Sequence, residues 1–334
     1  MHYGVVALKI GDMKKQRKHR PERNWSQYNQ KLKQIARIDF FISEDAIKNW
    51  CYTGTRKPGG KIIYSDHVIE MCLTIRERYK FAYRQAQGFI ESVMQYIGIE
   101  VVTPDYSTMS RRCGKLKISL RSKLLKFRSQ EKLVVAVDAT GLSLYSGREW
   151  NRIKHQSEKT GPLTKWRKLH LAIDVKSGEI LSSAYSKATV NDGEVMPSLL
   201  AAIDAEIEAV CGDMAYDKIN CRDAIRQRGA RQLIPPSRNA REARDNRNMT
   251  KKREILKERD DAIKYIKHNK INGDAALARA SWKRKAGYHI RSLIEATMLQ
   301  IKQHGSDRLT NRKEQNRIVQ AQIKCKLVNI ITTA

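Results

Sequence analysis

The sequence predicts a mixed α/β fold: a mixed sheet flanked by helices, preceded by an all-helical N-terminal region and interrupted by a basic helical insertion. Three observations carry this. Apolar residues recur at a helical period between positions 24 and 113. Short apolar or alternating runs take turns with helical patterns between positions 133 and 234. The stretch from Ser237 to Lys285 holds sixteen basic residues against seven acids and few aromatics, too polar for a core of its own. A hydrophobic content of 41% is nevertheless enough for a folded globular chain, which excludes wholesale disorder.

Taken in order, residues 1–23 form a basic N-terminal arm, with seven Lys and Arg and little that would pack. Residues 24–130 form the helical region. Ser65-Asp66 caps a helix whose positions Val68, Ile69, Met71, Cys72 and Ile75 follow a period near 3.6. A second helix runs from Tyr83 to Tyr96 on the stripe Phe89, Ile90, Val93 and Met94, and Gly98 ends it. Pro104-Asp105 opens a third, leading into Arg111 and Arg112. Three short helices, the last basic and polar, fit a helix-turn-helix reader, and the segment Arg111 to Lys132, with nine basic residues and one acid, favours DNA as what is read.

Residues 131–236 are built differently. Leu133 to Val137 is an apolar strand that the pattern ends at Asp138; Thr140-Gly141 is then expected to turn the chain into a second short strand, Leu142 to Tyr145. Lys168 to Ile173 alternates, Lys176-Ser177-Gly178 turns, and Ile180 to Tyr185 is the next strand. Asp192-Gly193-Glu194 starts a helix through Val195, Leu199, Leu200 and Ile203. Ile207 to Asp213 reads as another strand ending in an acid, followed by a short one at Gln232 to Ile234. Pro235-Pro236 closes this part. The basic insertion, 237–286, reads as a subdomain or arm, helical from Thr250 to Lys267, and 287–334 returns to the main domain with helices beginning at Gly287-Tyr288.

Charge sets the partner. Lys and Arg number 65 against 35 Asp and Glu, a formal net charge of +30, and self-repulsion on that scale points to a polyanion. No run approaches the roughly 18 apolar residues of a membrane span, and the apolar stretch Val5 to Leu8 is broken by Lys9. No membrane partner is expected. The six cysteines are scattered, without the paired short spacing of a zinc knuckle or the density of a secreted disulfide scaffold. The expected location is the cytoplasm, associated with the nucleoid, with reduced thiols.

The chemistry-bearing residues begin on the helix after Gly287. Tyr288, Arg291, Glu295, Met298 and Lys302 are spaced 3, 4, 3 and 4 and fall on one face, while Ile290, Leu293, Ile294 and Ile301 are left for the core. Taken alone, Arg291 and Glu295 are an ordinary i, i+4 ion pair. Two strand-end acids change the weight: Asp138 and Asp213 can meet Glu295 at one edge of one sheet. Carboxylates about 4–5 Å apart repel by several kcal/mol per pair, so cations belong between them. Oxygen ligands without His or Cys favour Mg²⁺, with Mn²⁺ as a substitute, over zinc. Two such ions about 4 Å apart suit in-line displacement at a phosphodiester. Among rival acids, Asp174 suits a hairpin turn, Asp217 a cap for the following helix, and Asp192 and Glu194 a helix first turn. His170, between Leu169 and Leu171, reads as structural; Trp150 and Trp166 are open between core and DNA stacking.

The helix Tyr288-x2-Arg291-x3-Glu295-x6-Lys302 resembles the Y-R-E-K signature of bacterial insertion-sequence DDE transposases. Further blocks resemble the insertion-sequence-five family in the expected order: Asn24-Trp-Ser-Gln-Tyr28, Pro104-Asp-Tyr-Ser-Thr108 leading into Ser110-Arg-Arg112, Val137-Asp-Ala-Thr-Gly141, Trp166-Arg-Lys-Leu-His-Leu-Ala-Ile-Asp174, Gly212-Asp-Met-Ala-Tyr-Asp217 and Ile234-Pro-Pro236. The resemblance spans Asn24 to Lys302 and implies an RNase H-like domain, with Asp138, Asp213 and Glu295 as the catalytic, metal-holding triad. It also implies DNA contacts by Tyr288, Arg291 and Lys302, with Lys154, His155, Trp166 and Arg167 beside them. One departure stands in the loop, where Lys154-His155-Gln156 replaces the Lys-His-Gly step often seen. The implied activity is hydrolysis at terminal inverted repeats and transfer of the freed 3′-hydroxyls to target DNA, by at least a homodimer on DNA. Two alternatives stay open at this point: a tyrosine recombinase using Tyr288 with Arg291 and His289, and a non-catalytic, transposase-derived DNA-binding regulator.

Overall fold

The computed structural model describes residues 24–42, 44–55, 61–120, 131–144, 166–243, 250–270 and 274–333. The basic arm and the pair Lys154 and His155 lie outside them, as does Trp150. The N-terminal part is helical: α1 Trp25–Gln34, α2 Glu44–Lys48, α3 Asp66–Tyr79, α4 Tyr83–Tyr96 and α5 Tyr106–Cys113. The expected caps form. Ser65 accepts from the Val68 N–H, and Asp105 accepts from the Ser107 N–H at 2.8 Å. Gly98, at φ +72°, follows α4 in a conformation that costs other residues.

The sheet is built from β1 Leu133–Leu144, β2 Trp166–Asp174, β3 Ile180–Lys187, β4 Ile207–Cys211, β5 Arg231–Leu233 and β6 Arg308–Leu309, with α6 Asp192–Ala201 and α7 Ile219–Gln227 between them. Its order is β3-β2-β1-β4-β5, with β6 pairing separately to β1. The first three strands are an antiparallel meander; β4 and β5 run parallel to β1. This is the RNase H-like topology. Then follow α8 Thr250–His268, α9 Ala275–Lys285, a 3₁₀ turn Tyr288–Arg291, α10 Ser292–Gly305 and α11 Glu314–Thr332.

Three expectations are corrected here. Asp138 does not end its strand, and Leu142 to Leu144 continue it rather than form a separate one, Tyr145 lying outside the described residues: β1 runs unbroken through Thr140-Gly141 because β2 pairs with it continuously from Val135 to Ser143. The Trp166 ring lies over Gly141, at ordinary contact distance for a Cβ added there. Second, Tyr288–Lys302 is not one helical face, because its start is 3₁₀ and only the remainder is α. The buried stripe of α10 is Ile294, Thr297, Met298 and Ile301, which takes Met298 into the core and leaves Leu293 45% exposed. Third, the basic insertion is no free arm. α8 buries Ile255, Leu256, Ile263 and Ile266, and Glu258 accepts from the Gln232 N–H of edge strand β5 at 2.7 Å.

Strand parity then separates two cores. Odd positions of β1 (Leu133, Val135, Val137) pack with Met196, Leu199, Val210 and Ile225 beneath α6 and α7. Even positions (Ala136, Leu142) pack with Ile294, Met298 and Ile301 of α10 and with Ala321, Cys325 and Val328 of α11. The other face of α11, through Val319, Ile323, Leu327 and Ile331, completes the core of the N-terminal helices. Asp138 shares parity with Ala136, so the pleat alone aims it at the α10 side.

Candidate active site

β4 ends at Cys211, opposite Ala136, and β6 begins only opposite Ser143. Both lie along the same edge of β1, because β2 holds the other. Between them that edge has no partner strand among the described residues, and Asp138 falls in this gap. An opening beyond the carboxyl end of a parallel strand, where neighbours change, is where α/β sheets expose side chains to a ligand.

The 3₁₀ turn Tyr288–Arg291 closes on the gap and delivers a guanidinium into it. Arg291 Nη2 donates to Asp138 Oδ2 at 2.7 Å, and Nη1 donates to Glu295 Oε1 at 2.7 Å. One planar fork thus spans two of the three expected acids. Its Nε is buried with no hydrogen-bond partner among the described residues. Burial pushes the Asp138 carboxyl above its ordinary pKa, and Asp213 pushes the same way, against the Ala139 N–H and Arg291. Burial opposes the Arg291 charge, but Asp138, Tyr288 and Glu295 outweigh it and raise its pKa.

Asp213 follows β4 and caps the short turn Met214–Tyr216, accepting from the Ala215 N–H at 2.8 Å. Gly212 before it lets the Tyr216 ring pack closely: an added Cβ would stand 3.0 Å from it. That ring is 1% exposed, and burial, with Asp138, Asp192 and Asp213 nearby, raises the phenol pKa strongly. Among the described residues no three His, Cys, Asp or Glu stand within metal-holding reach. Asp138 and Glu295 meet on Arg291, and Asp213 lies beside Asp138 without joining them. The donor set still fits a divalent cation. It is all carboxylate oxygen, and two of its members, Asp138 and Glu295, already share the Arg291 charge.

Other expected residues separate clearly. Lys302 is exposed, two turns beyond Glu295 on α10. Tyr288 is half-buried, with Lys283 Nζ 5.1 Å from its ring centroid, and burial raises its pKa. Trp166 is 42% exposed over Gly141. Arg167 turns away to pair with Glu314 at 3.2 Å. Arg111 is exposed, whereas Arg112 donates to the Tyr64 carbonyl and pairs with Asp66, tying α5 to the start of α3. Arg111 lines a cavity of about 490 Å³ with Tyr83, Arg84, Tyr106, Ser107 and Ser110, and Arg84 stacks 4.3 Å over Tyr106. His170 is fully buried with Nε2 2.8 Å from Ser186 Oγ, a structural role. Asp174 accepts from the Lys176 and Ser177 amides in its hairpin turn, and Asp192 accepts from Lys168 Nζ in the first turn of α6.

Asp217 corrects another expectation. It does not cap α7 but accepts from the Ser237 N–H and Oγ, from Arg222 and from Arg259, which fastens the insertion to the domain. The sequence signal for Arg222 was weak: a charged residue on an amphipathic helix is ordinarily solvated, yet this one is 1% exposed.

Fold and site together define an RNase H-like domain with Asp138 and Glu295 joined by Arg291 at a break in its sheet. Residues 33–147 and, independently, residues 129–330 match family profiles described as transposase DDE domain. The second match covers more than half of the chain, and the chain belongs to the DDE transposase family. A solved structure of a piggyBac transposase synaptic complex with hairpin DNA is similar at 11% identity and TM-score 0.40, over 91% of this chain and 74% of that one. No helix among the described residues is long and apolar enough to cross a membrane.

Proposed function

We propose that this DDE transposase mobilises a bacterial insertion sequence of the insertion-sequence-five type, with Asp138, Asp213 and Glu295 as its catalytic acids. The observation that carries the assignment is the single guanidinium spanning Asp138 and Glu295 at the gap in the sheet. Two acids 157 positions apart are held around one cation, where a parallel strand ending just before Asp213 stops. Divalent ions, Mg²⁺ or Mn²⁺, would be held by the three carboxylates and supply Lewis-acid charge at the scissile phosphate.

The chain's own residues set up the rest. Arg291 neutralises Asp138 and Glu295 before loading. Once released, its fork suits a phosphate beside the reacting one, Lys302 adds a point charge farther along α10, and Tyr288 offers a ring to a terminal base. Water then opens the phosphodiester at each element end, and the freed 3′-hydroxyl attacks the target strand. Both ends must be joined, so the active form is at least a dimer on DNA. The inverted repeats are read by the N-terminal helices, through Arg84, Tyr106 and Arg111 rather than Arg112, whose guanidinium is already engaged.

A non-catalytic regulator gains support from the same bridge, which neutralises two of the three acids. Incubating the protein with element-end DNA and Mg²⁺ separates the two readings. Nicking and strand transfer should fall about 10²-fold or more in Asp138→Asn and in Glu295→Gln, and variants as active as the wild type would leave only the regulator. The Tyr288 nucleophile is disfavoured by the raised phenol pKa, and a covalent phosphotyrosyl adduct surviving in EDTA would restore it.

A further inference from the structure

Between the start of α7 and the insertion lies a cavity of about 580 Å³, the size of a small-ligand site. Five cations line it: Lys218, Arg241, Lys252, Arg253 and Arg259. Among the described lining residues two are acids, Asp217 and Glu242, and both are already paired. Asp217, 1% exposed at its side chain, is saturated by Ser237, Arg222 and Arg259; Glu242 is paired with Lys267. Arg259 is consumed in that latch. Lys218, Arg241 and Lys252 have no ionic partner among the described residues. Cations held this close repel one another unless an anion joins them.

A second feature points the same way. Lys218 and Ile219, which line the cavity, are the N-cap and first residue of α7, and no side chain caps that helix. The positive end of the helix dipole therefore lies at the cavity wall, an arrangement suited to phosphate oxygens. Asp217, one of its lining residues, follows Asp213 by one 3₁₀ turn, which puts this wall of the cavity close in sequence to a proposed acid.

We infer that this cavity is a second DNA-backbone site, in which Lys218, Arg241 and Lys252, with the α7 N-terminus, grip phosphodiesters flanking the cut position. The inference rests on the reading of DNA as substrate and adds residues outside the triad and outside the N-terminal reader. The site supplies affinity and register without base specificity, because its donors are point charges and amides aimed at phosphate.

The test is the salt dependence of binding to a fluorescein-labelled random-sequence duplex, followed by anisotropy. Each phosphate contact contributes about 0.9 to the slope of log affinity against log salt, so the triple variant Lys218→Gln, Arg241→Gln, Lys252→Gln should lose about 2 in slope and about tenfold or more in affinity near 0.1 M salt. A charge-matched control, Lys257→Gln, Lys264→Gln, Lys270→Gln, removes exposed cations of the same insertion outside the cavity and should lose much less. Thermal melts check that both remain folded. An unchanged slope in the cavity variant, or an equal loss in the control, overturns the assignment while DNA binding by the wild type stands. A wild type that binds no duplex overturns the DNA reading itself, and this site with it. A thermal upshift by inorganic phosphate alone, lost in the cavity variant while its DNA slope is unchanged, would reassign the cavity to a free phosphate ligand.

Discussion

At the scale of single residues, Arg291 settles a conflict of charges. Asp138 is desolvated and faces Asp213, so without a cation its carboxylate is penalised twice. The guanidinium offsets part of that penalty while remaining partly exposed, and the Asp138 pKa stays raised. Arg291→Met should therefore lower stability by about 1–3 kcal/mol in EDTA, the range for leaving buried polar partners unpaired. Millimolar Mn²⁺ should restore more of the melting temperature in the variant than it adds to the wild type, because the ion inherits the vacated carboxylates. Equal Mn²⁺ shifts in the two proteins would show that the arginine and the ion do not compete. The Arg291–Glu295 half of this arrangement was legible as i, i+4 spacing. The Asp138 half spans 153 positions and follows from strand parity and from where β4 stops, neither of which a local pattern records.

Among elements, the instructive case is the insertion. Its composition left a subdomain and an arm both open, and Asp217 clamps it from the domain side through Arg259 and Ser237, while Arg222 reaches the Ile234 carbonyl and the Gln232 side chain. Burial works against the Asp217 charge, but the Ser237 N–H, Arg222 and Arg259 outweigh it and hold its pKa below the ordinary 3.8. With the folded pKa depressed, the clamp contributes fully above 3.8 and is lost as pH falls through the folded value. Asp217→Asn should cost about 3–5 kcal/mol at neutral pH by stranding Arg222, and should flatten the stability loss between pH 4 and lower values in acid titrations followed by circular dichroism. A variant as stable as wild type would mean that Arg259 and Arg222 find other acceptors. Helix boundaries such as Tyr83–Tyr96 were readable because the apolar period and the stop at Gly98 agree there. β1 was misread because Thr140-Gly141 carries turn chemistry, and only pairing with β2 shows that the strand continues through it.

For the whole molecule, a net charge of +30 makes affinity a property of the solution as much as of the site. With about 6–10 phosphate contacts, binding to DNA should weaken about 10³–10⁵-fold between about 50 and 200 mM salt, and a flat dependence would remove the electrostatic basis for the DNA reading. The fold adds a constraint that composition hid. The helical region at 24–130 looked separable, but α11 inserts Val319, Ile323, Leu327 and Ile331 into its core, and Lys324, fully buried, pairs with Glu77 of α3 at 2.8 Å. Each such apolar side chain contributes about 1.5–3 kcal/mol on burial, so four contribute about 6–12 kcal/mol, comparable to the whole stability of a domain. A fragment of residues 24–130 should therefore lack a cooperative melt and show narrow amide dispersion, and adding a peptide of residues 314–332 should restore both. The consequence for function is geometric: α11 also packs through Ala321, Cys325 and Val328 against the sheet that carries Asp138, so the proposed reading head and the acids move as one body. Independent folding of the fragment would mean instead that the helices can swing, and DNA recognition would no longer fix where the acids fall.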